Sequence, residues 1–273
     1  MLKQRVITAI VLASVFAGTI LFADPKWLVV LIAVVMFAAC YEILALTLKP
    51  DLWAGVIGAI MYAILFWVFN ESIDPRVNYY QSLAGVFGWI LISGFLFFYR
   101  FSGKWSLSAR LSQLVLALSL IWICGHGLVF IHQHFQHGGW IMLYLLTLIW
   151  VADIGAYFSG RKFGKHKLAP GISPGKTWEG VAGGVILNVL WMLIVFQISY
   201  GWDMKLWQFI LIGLATSLIS VVGDLYESIL KREAGVKDSG KLLPGHGGVL
   251  DRLDSIIAAT PVFLSGLYAA GIV

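Results

Sequence analysis

The chain has 273 residues, of which 60% are hydrophobic and only 12% are charged, about half the charged fraction of an average soluble domain. With a mean hydropathy of +0.87, the polar side chains cannot cover a water-exposed surface. The composition therefore excludes an ordinary soluble enzyme and predicts a polytopic membrane protein. The formal net charge is +5, but the basic residues stand in short groups between apolar runs. This is typical of cytoplasmic loops rather than of a nucleic-acid-binding face, so we expect no nucleic-acid partner.

Nine segments come close to the roughly 20 apolar residues that a membrane-spanning helix needs. The predicted fold is an all-α, polytopic integral membrane protein with about nine transmembrane helices. The fourth segment is the shortest. The first is interpreted as a transmembrane helix rather than a cleavable signal peptide, because further apolar segments follow at once. The segments are Val6 to Ala23, Trp27 to Leu46, Leu52 to Phe69, Leu83 to Phe98, Leu111 to Ile131, Trp140 to Phe158, Val181 to Ile198, Phe209 to Leu225, and Ile256 to Val273.

The basic residues between these segments predict the orientation, since Lys and Arg near the ends of a span are retained in the cytoplasm. Lys3 and Arg5 place the N-terminus in the cytoplasm. With nine spans, the loops from Arg161 to Lys176 and from Lys231 to Arg252 lie on the same cytoplasmic side. The C-terminus then lies outside.

The charged residues are concentrated in the second half of the chain. Residues 151–254 contain 11 of the 19 Lys and Arg and 9 of the 14 Asp and Glu. We expect residues 1–138 to form apolar helices with packing and lipid contacts, and residues 139–273 to carry the chemistry of the protein. Glu42 is the main polar exception in the first region, and two interpretations of it stay open: an interhelical contact or a site residue.

Three polar residues would share one face if the stretch from Val222 to Arg232 is helical. Asp224, Ser228 and Lys231 stand at positions i, i+4 and i+7, so a carboxylate, a hydroxyl and an ammonium group point the same way. An acidic residue inside a membrane helix costs about 2.5–3.5 kcal/mol on insertion scales, which implies a partner or a water-filled cavity. Either a buried Asp224–Lys231 contact or a functional site satisfies this requirement.

A glycine-rich segment follows, with three glycines around His246 and a predicted helix beginning near Asp251. Asp251 and Asp254 stand at i and i+3 on one face of that helix start. Asp251 is equally well explained as a helix-capping residue. Together with Asp224, the two carboxylates supply three hard oxygen ligands, which suit Mg²⁺. The same part of the chain also contains the cations Lys231, Lys241 and Arg252. Carboxylates that bind a metal together with cations that bind phosphate are typical of phosphoryl or nucleotidyl transfer.

A second basic stretch, residues 161–180, belongs to the same cytoplasmic side. Its sequence Gly175-Lys176-Thr177 suggests a P-loop, but Pro170 stands where that motif requires glycine. What remains is a loop and helix start with hydroxyls, amides and cations, suited to a triphosphate. A membrane anchor explains residues 161–167 equally well, but explains Ser173 to Thr177 poorly. Upstream, Asp153 is expected to be a site residue rather than a purely structural hydrogen-bonding partner.

The residues from Ser228 to Asp254 form a long and specific motif. It reads Ser-x-Leu-Lys-Arg, four residues, Lys-Asp-x-Gly, two residues, and Leu-Pro-x-His-Gly-Gly-Val-x-Asp-Arg-Leu-Asp. The motif resembles the signature of the bacterial phosphatidate cytidylyltransferases, also called CDP-diacylglycerol synthases. Residues 165–180 are similar to the same family. The resemblance is strong over about residues 150–260 and general over the first half.

The resemblance implies a multi-pass enzyme of the bacterial cytoplasmic membrane. Residues 139–273 would form the catalytic region, with a cytoplasm-facing polar cavity open to the bilayer, and residues 1–138 would include the dimer contacts. The enzyme would condense CTP with phosphatidic acid to CDP-diacylglycerol and pyrophosphate, acting as a homodimer in the lipid bilayer. The cofactor would be Mg²⁺, as one or two ions, with an additional monovalent cation left open. Asp224, Asp251 and Asp254 would hold the metal and, with Lys231, form the catalytic set. The expected substrate-binding residues are Asp153, Lys167, Ser173, Lys176, Thr177, Ser228, Arg232, His246 and Arg252.

The predicted reaction is in-line attack by a phosphatidate oxygen on the α-phosphorus of CTP. Since a phosphate monoester is largely dianionic near pH 7, positioning and charge neutralisation should dominate over general-base catalysis. Two alternatives stay open. One is a related enzyme that acts on another lipid, and the other is an ion-coupled transporter whose intramembrane Asp and Lys residues bind a cation.

Overall fold

The computed structural model describes residues 14–49, 51–70, 74–99, 105–198, 204–243 and 247–272. In these ranges the chain is almost entirely helical, as the sequence predicts. Residues 14–22 belong to a first helix, α1. The others are α2 (Pro25–Thr47), α3 (Leu52–Asn70), α4 (Pro75–Phe98), α5 (Leu107–His134), α6 (Gly138–Phe163), α7 (Trp178–Ile198), α8 (Leu206–Ala234) and α9 (Leu250–Ala269).

Seven of the described helices, α2 to α8, are long and apolar enough to cross a membrane. Each predicted segment coincides with a helix over its described residues, so the helical class and a multi-pass architecture are supported. The number of spans and the orientation stay predictions.

One boundary differs clearly from its predicted position. The fourth helix begins at Pro75 rather than Leu83 and has 24 residues. Asp74 accepts a hydrogen bond from the backbone N–H of Arg76 at 2.7 Å, and Pro75 stands at the first helical position. An acidic N-cap residue followed by proline can begin a helix even when the next turn is polar. The prediction counted only apolar residues and therefore placed the start of this helix too late.

The basic stretch contains a short β-hairpin that the all-α prediction did not include. Strand β1 (Lys167–Ala169) pairs antiparallel with β2 (Ser173–Thr177). Pro170 and Pro174 have no backbone N–H to donate inside a helix, and this favours extended backbone here. The hairpin is closed at its base, where Trp178 N–H donates to the carbonyl of His166 at 3.0 Å. The hairpin therefore ends directly at the N-terminus of α7.

Helices α6 and α7 approach each other backbone to backbone. A Cβ at Gly155 would lie 2.8 Å from the carbonyl oxygen of Gly183, and one at Gly184 would lie 2.8 Å from that of Ala152. Small residues let membrane helices approach this closely. We call this contact the glycine seam, and it fixes α6, which carries Asp153, against α7.

The remaining helices pack around a buried core. Helix α9 contacts α8, α4 and α5, while α2 packs on α3 and α5 and also touches α8 and α9. Trp89, Phe130 and Phe263 are fully buried among these helices. Large apolar side chains such as Trp67 and Phe87 are exposed, as lipid-facing surfaces require. The polar face of α8 and the start of α9 lie inside this arrangement.

Candidate active site

A polar cavity of about 420 Å³ opens between α6, β2, α7, α8 and α9. It gathers side chains from parts of the chain that are far apart in sequence. Three of its lining side chains were predicted as substrate-binding residues and one as a metal ligand. The lining residues are Asp153, Ala156, Tyr157, Gly160, Arg161, Gly175, Lys176, Thr177, Gly180, Val181, Val221, Asp224 and Ser255.

The central contact of the cavity is an ion pair between the hairpin and α8. Lys176 Nζ lies 2.6 Å from Asp224 Oδ2, and both side chains are partly exposed to the cavity. Ser228 Oγ donates to the other carboxylate oxygen of Asp224 at 3.4 Å. The structure thus brings together three predicted site residues. It also shows that Asp224 pairs with Lys176, so the alternative of a buried Asp224–Lys231 contact is wrong.

Lys231 forms a second, more deeply buried cluster. Its Nζ donates to Glu227 Oε2 at 2.5 Å and to Asp251 Oδ1 at 2.6 Å. Glu227 is only 2% exposed, and it was not among the predicted site residues. The available signal was its position four residues before Lys231, the spacing of a helical ion pair. Lys231 therefore joins α8 to the first turn of α9.

Asp251 also holds the loop that leads into α9. Its Oδ2 accepts hydrogen bonds from the backbone N–H of Ser239 at 3.0 Å and of Gly248 at 2.8 Å. The capping interpretation correctly predicted that Asp251 accepts hydrogen bonds from backbone amides. Those amides, however, belong to the preceding loop and not to the helix. With Lys231 on its other oxygen, Asp251 is fully engaged within the protein.

Asp254 connects the two clusters. Its Oδ1 accepts from the backbone N–H of Ser255 at 2.6 Å, and it lies within electrostatic range of Asp224, Lys176 and Lys231. Across the cavity, Asp153 interacts electrostatically with Asp224, Lys176 and Arg252. Three carboxylates from three helices therefore face a common region.

The other predicted substrate-binding residues lie around this region. Thr177 Oγ1 accepts from Gly180 N–H at 3.1 Å and so caps α7, while Arg232 Nε donates to the carbonyl of Ile172 at 3.4 Å. Lys167 and Ser173 lie on the hairpin strands. His246 lies outside the described residues. The roles of all these residues in binding stay predictions.

The donor set suits a hard cation, although the described residues contain no group of three His, Cys, Asp or Glu side chains already arranged to hold a metal. Carboxylate oxygens and water are the ligands that Mg²⁺ prefers. The two clusters bring carboxylates from α6, α8 and α9 near several cations. The carboxylates are Asp153, Asp224, Glu227, Asp251 and Asp254, and the cations are Arg161, Lys176, Lys231 and Arg252.

Comparison with known proteins gives consistent relatives over almost the whole chain. Residues 3–269 match the model of the cytidylyltransferase family. The chain is 40% identical to a phosphatidate cytidylyltransferase of Haemophilus influenzae over 96% of this chain and 97% of the relative. It is 38% identical to one of Pseudomonas aeruginosa, covering 99% and 98%. It is 32% identical to one of Bacillus subtilis, covering 98% and 99%.

Proposed function

The chain belongs to the cytidylyltransferase family, and we propose that it transfers the cytidylyl group of CTP to phosphatidic acid, giving CDP-diacylglycerol and pyrophosphate. The observation that carries this proposal is the Lys176–Asp224 pair in the wall of the polar cavity. A cation on a hairpin and a carboxylate on a membrane helix meet there, where a phosphate and a metal would both find partners. The full-length similarity to proteins named phosphatidate cytidylyltransferase supports the same substrates.

In the proposed reaction, a phosphatidate phosphate oxygen attacks the α-phosphorus of CTP and pyrophosphate leaves. Lys176 and Arg161 line the cavity and neutralise phosphate charge, which is the main requirement of phosphoryl and nucleotidyl transfer. Lys231 stays between Glu227 and Asp251 and fixes the start of α9 relative to α8. No strong general base is needed, because the attacking phosphate monoester is already largely dianionic near pH 7.

We propose Mg²⁺ as the cofactor, held by Asp224 and Asp254. A bound Mg²⁺ would neutralise and orient the phosphates of CTP. Both oxygens of Asp224 have partners too, but these are the side chains of Lys176 and Ser228 at the cavity. Asp251, the third expected ligand, binds the backbone of the loop at Ser239 and Gly248 as well as Lys231, so we assign it to positioning the loop. Asp153 approaches from α6 and adds a further carboxylate to the region. The carboxylates from three helices that face this region support the requirement, since a metal ion held by them would offset the charge of two anionic substrates.

The proposed setting is the bacterial cytoplasmic membrane, with the cavity facing the cytoplasm. Seven helices are long and apolar enough to span, and the basic hairpin lies beside the cavity, where the positive-inside rule favours the cytoplasm. A cavity bordered by the membrane-spanning α6, α7 and α8 can take a soluble nucleotide from one side and a lipid headgroup from the bilayer. We propose a homodimer as the working assembly.

The decisive experiment is pyrophosphate release by the purified protein in lipid nanodiscs. We expect release from CTP that depends strictly on added phosphatidic acid and on Mg²⁺. Diacylglycerol and lysophosphatidic acid serve as competing acceptors, and ATP and UTP as competing nucleotides. Release with a different lipid but not with phosphatidic acid would indicate a related enzyme. Cation flux in proteoliposomes without pyrophosphate release would indicate a transporter and overturn the proposal.

A further inference from the structure

Glu42 is a buried carboxylate in a helix that otherwise carries apolar side chains. It lies in α2 and is 1% exposed, far from the motif that identifies the family. Because an acidic side chain inside a membrane protein costs several kcal/mol without partners, its surroundings must supply hydrogen bonds. These partners show what the residue does.

Among the described residues, the hydrogen bonds of the Glu42 carboxylate come from the loop that precedes α9 and from the first residue of that helix. Oε1 accepts from the backbone N–H of Val249 at 3.0 Å. Oε2 accepts from the backbone N–H of Leu250 at 2.8 Å and from Ser239 Oγ at 2.9 Å. Among the residues that the structure describes, no Lys, Arg or His forms an ion pair with Glu42. Its charge is therefore met by amides and a hydroxyl at a helix N-terminus, where anions are favoured.

The loop backbone lies directly against this carboxylate. A Cβ at Gly240 would lie 2.9 Å from Glu42 Cδ, and a Cβ at Gly248 would lie 2.6 Å from Glu42 Oε1. Heavier side chains at these two positions would push the loop away. Both glycines thus serve a close approach between the loop and α2.

The loop that Glu42 binds is the loop that Asp251 binds. Ser239 Oγ donates to Glu42 and accepts from the backbone N–H of Asp251 at 3.3 Å, while Ser239 N–H donates to Asp251 Oδ2. Gly248 N–H also donates to Asp251 Oδ2. Asp251 in turn binds Lys231. A continuous chain of hydrogen bonds therefore runs from α2 through the loop to the buried cluster on α8.

We propose that Glu42 is a positioning residue that holds the loop before α9 and thereby sets the place of Asp251 and Asp254 in the active site. The expected effect of Glu42 on catalysis rests on the proposed function. Its expected effect on the position of the loop does not depend on any activity. Glu42 is buried and is not among the residues that line the cavity, and through it the N-terminal half of the chain supports the site.

The test compares Glu42→Gln with the wild-type protein in nanodiscs. Glutamine offers one acceptor oxygen where glutamate offers two, and its amide would face backbone donors. We expect kcat for phosphatidate-dependent pyrophosphate release to fall about 100-fold, the size of effect that a displacement of about 1 Å can produce. The KM for CTP should change less than about threefold, because Glu42 does not contact the Lys176–Asp224 pair. Hydrogen exchange should quicken at the amides of residues 239–250.

The matched control is Thr47→Ala, which removes another buried polar side chain from α2. Thr47 bonds only its own helix, donating to the carbonyl of Ile43 at 2.7 Å, so kcat and exchange in the loop should stay at the wild-type level. If Glu42→Gln keeps wild-type kcat, or if exchange in residues 239–250 is unchanged, Glu42 does not position the loop. If the wild-type protein shows no phosphatidate-dependent activity, the proposed function fails and the exchange result alone decides the role of Glu42.

A second variant keeps the inference testable if Glu42→Gln does not fold. Gly248→Ala leaves the Glu42 side chain in place but puts a methyl group against Ser239 Oγ and the Glu42 carboxylate, at the contact that joins them. We expect the same loss of kcat and the same faster exchange. Gly94→Ala is the control, since nothing lies within 4 Å of a Cβ there. Wild-type kcat in Gly248→Ala would overturn the inference.

Discussion

Lys176 and Asp224 show how the candidate site is assembled from single side chains. Lys176 comes from a hairpin with extended backbone and Asp224 from the interior of a helix, and they meet at 2.6 Å in the cavity wall. Each charge would be costly in apolar surroundings without the other. The pair therefore holds the hairpin on α8 and presents a cation and a carboxylate to the same space.

Removing the charge of Lys176 should impair catalysis specifically. We expect Lys176→Met to lower kcat about 10²- to 10³-fold, the usual effect of losing one group that stabilises transition-state charge. Pyrophosphate release by protein in nanodiscs measures this. The control is Lys162→Met, because Lys162 is exposed and lies over the Phe163 ring outside the cavity. Equal losses in both variants would mean that general surface charge, and not the position of Lys176, is responsible.

The two aspartates of α9 should respond differently to loss of charge. Asp251→Asn breaks a buried ion pair, which typically costs about 3–5 kcal/mol, so both thermal stability and activity should fall. Asp254→Asn removes a carboxylate that lies within electrostatic range of the like-charged Asp224. It should abolish cytidylyl transfer while leaving the thermal midpoint equal or higher. Turnover with labelled CTP and thermal unfolding in detergent measure the two effects, and near-normal turnover in Asp254→Asn would exclude a catalytic role.

Single residues of the site were predictable where the signal was local. The helical spacing of Asp224, Ser228 and Lys231 correctly predicted a shared polar helix, and Ser228 does contact Asp224. The partners of Asp224 and Lys231 were not predictable, because tertiary packing decides them. Glu227 was missed for a related reason: an acid four residues before a lysine is common on exposed helices, and only burial shows that this pair is internal.

At the scale of elements, the glycine seam determines how rigidly one wall of the cavity is held. Ala152, whose carbonyl faces Gly184, immediately precedes Asp153. Any side chain that separates the helices would also displace this carboxylate.

Gly184→Ala should therefore reduce both stability and activity. The added methyl group would lie 2.8 Å from a backbone oxygen, and overpacking of this kind costs about 1–3 kcal/mol. We expect a lower thermal midpoint and a lower kcat. Gly94→Ala, at a helical glycine with open space around it, should lose neither. A thermal midpoint unchanged by Gly184→Ala would mean that the two helices can separate without cost.

The helices were predictable and the hairpin was not, for physical reasons. Long apolar runs identify membrane helices reliably, and the start of α9 at Leu250 confirms the helix predicted near Asp251. Strands of three and five residues are too short to show a period of two. The early start of α4 was missed because its first turns contain Arg76, Asn78 and Gln81, although the cap formed by Asp74 and Pro75 was a readable signal.

At the scale of the whole molecule, the chain carries a formal charge of +5, whereas the residues that line the cavity include two carboxylates and two cations, Asp153 and Asp224 with Arg161 and Lys176. The positive-inside rule predicts that the excess basic residues orient the chain in the membrane. On the proposed function, the site takes up an added cation before it accepts two anionic substrates.

Chelation should therefore stop the reaction completely. We expect EDTA to abolish pyrophosphate release and excess Mg²⁺ to restore it. Since a ligand that binds only the folded state raises its stability, Mg²⁺ should also raise the thermal midpoint of the wild-type protein. This shift should disappear in Asp224→Asn. Full activity in EDTA would show that the protein's own cations are sufficient.

The contact between Glu42 and Ser239 joins residues 197 positions apart in the chain, and this separation has a consequence for biosynthesis. The chain is made from its N-terminus, so α2 enters the bilayer long before the loop amides that bind Glu42 exist. Until α9 arrives, the nascent protein carries an acid in an apolar helix without its final partners. Packing of α9 against α2 then relieves that cost and completes the candidate site in the same step.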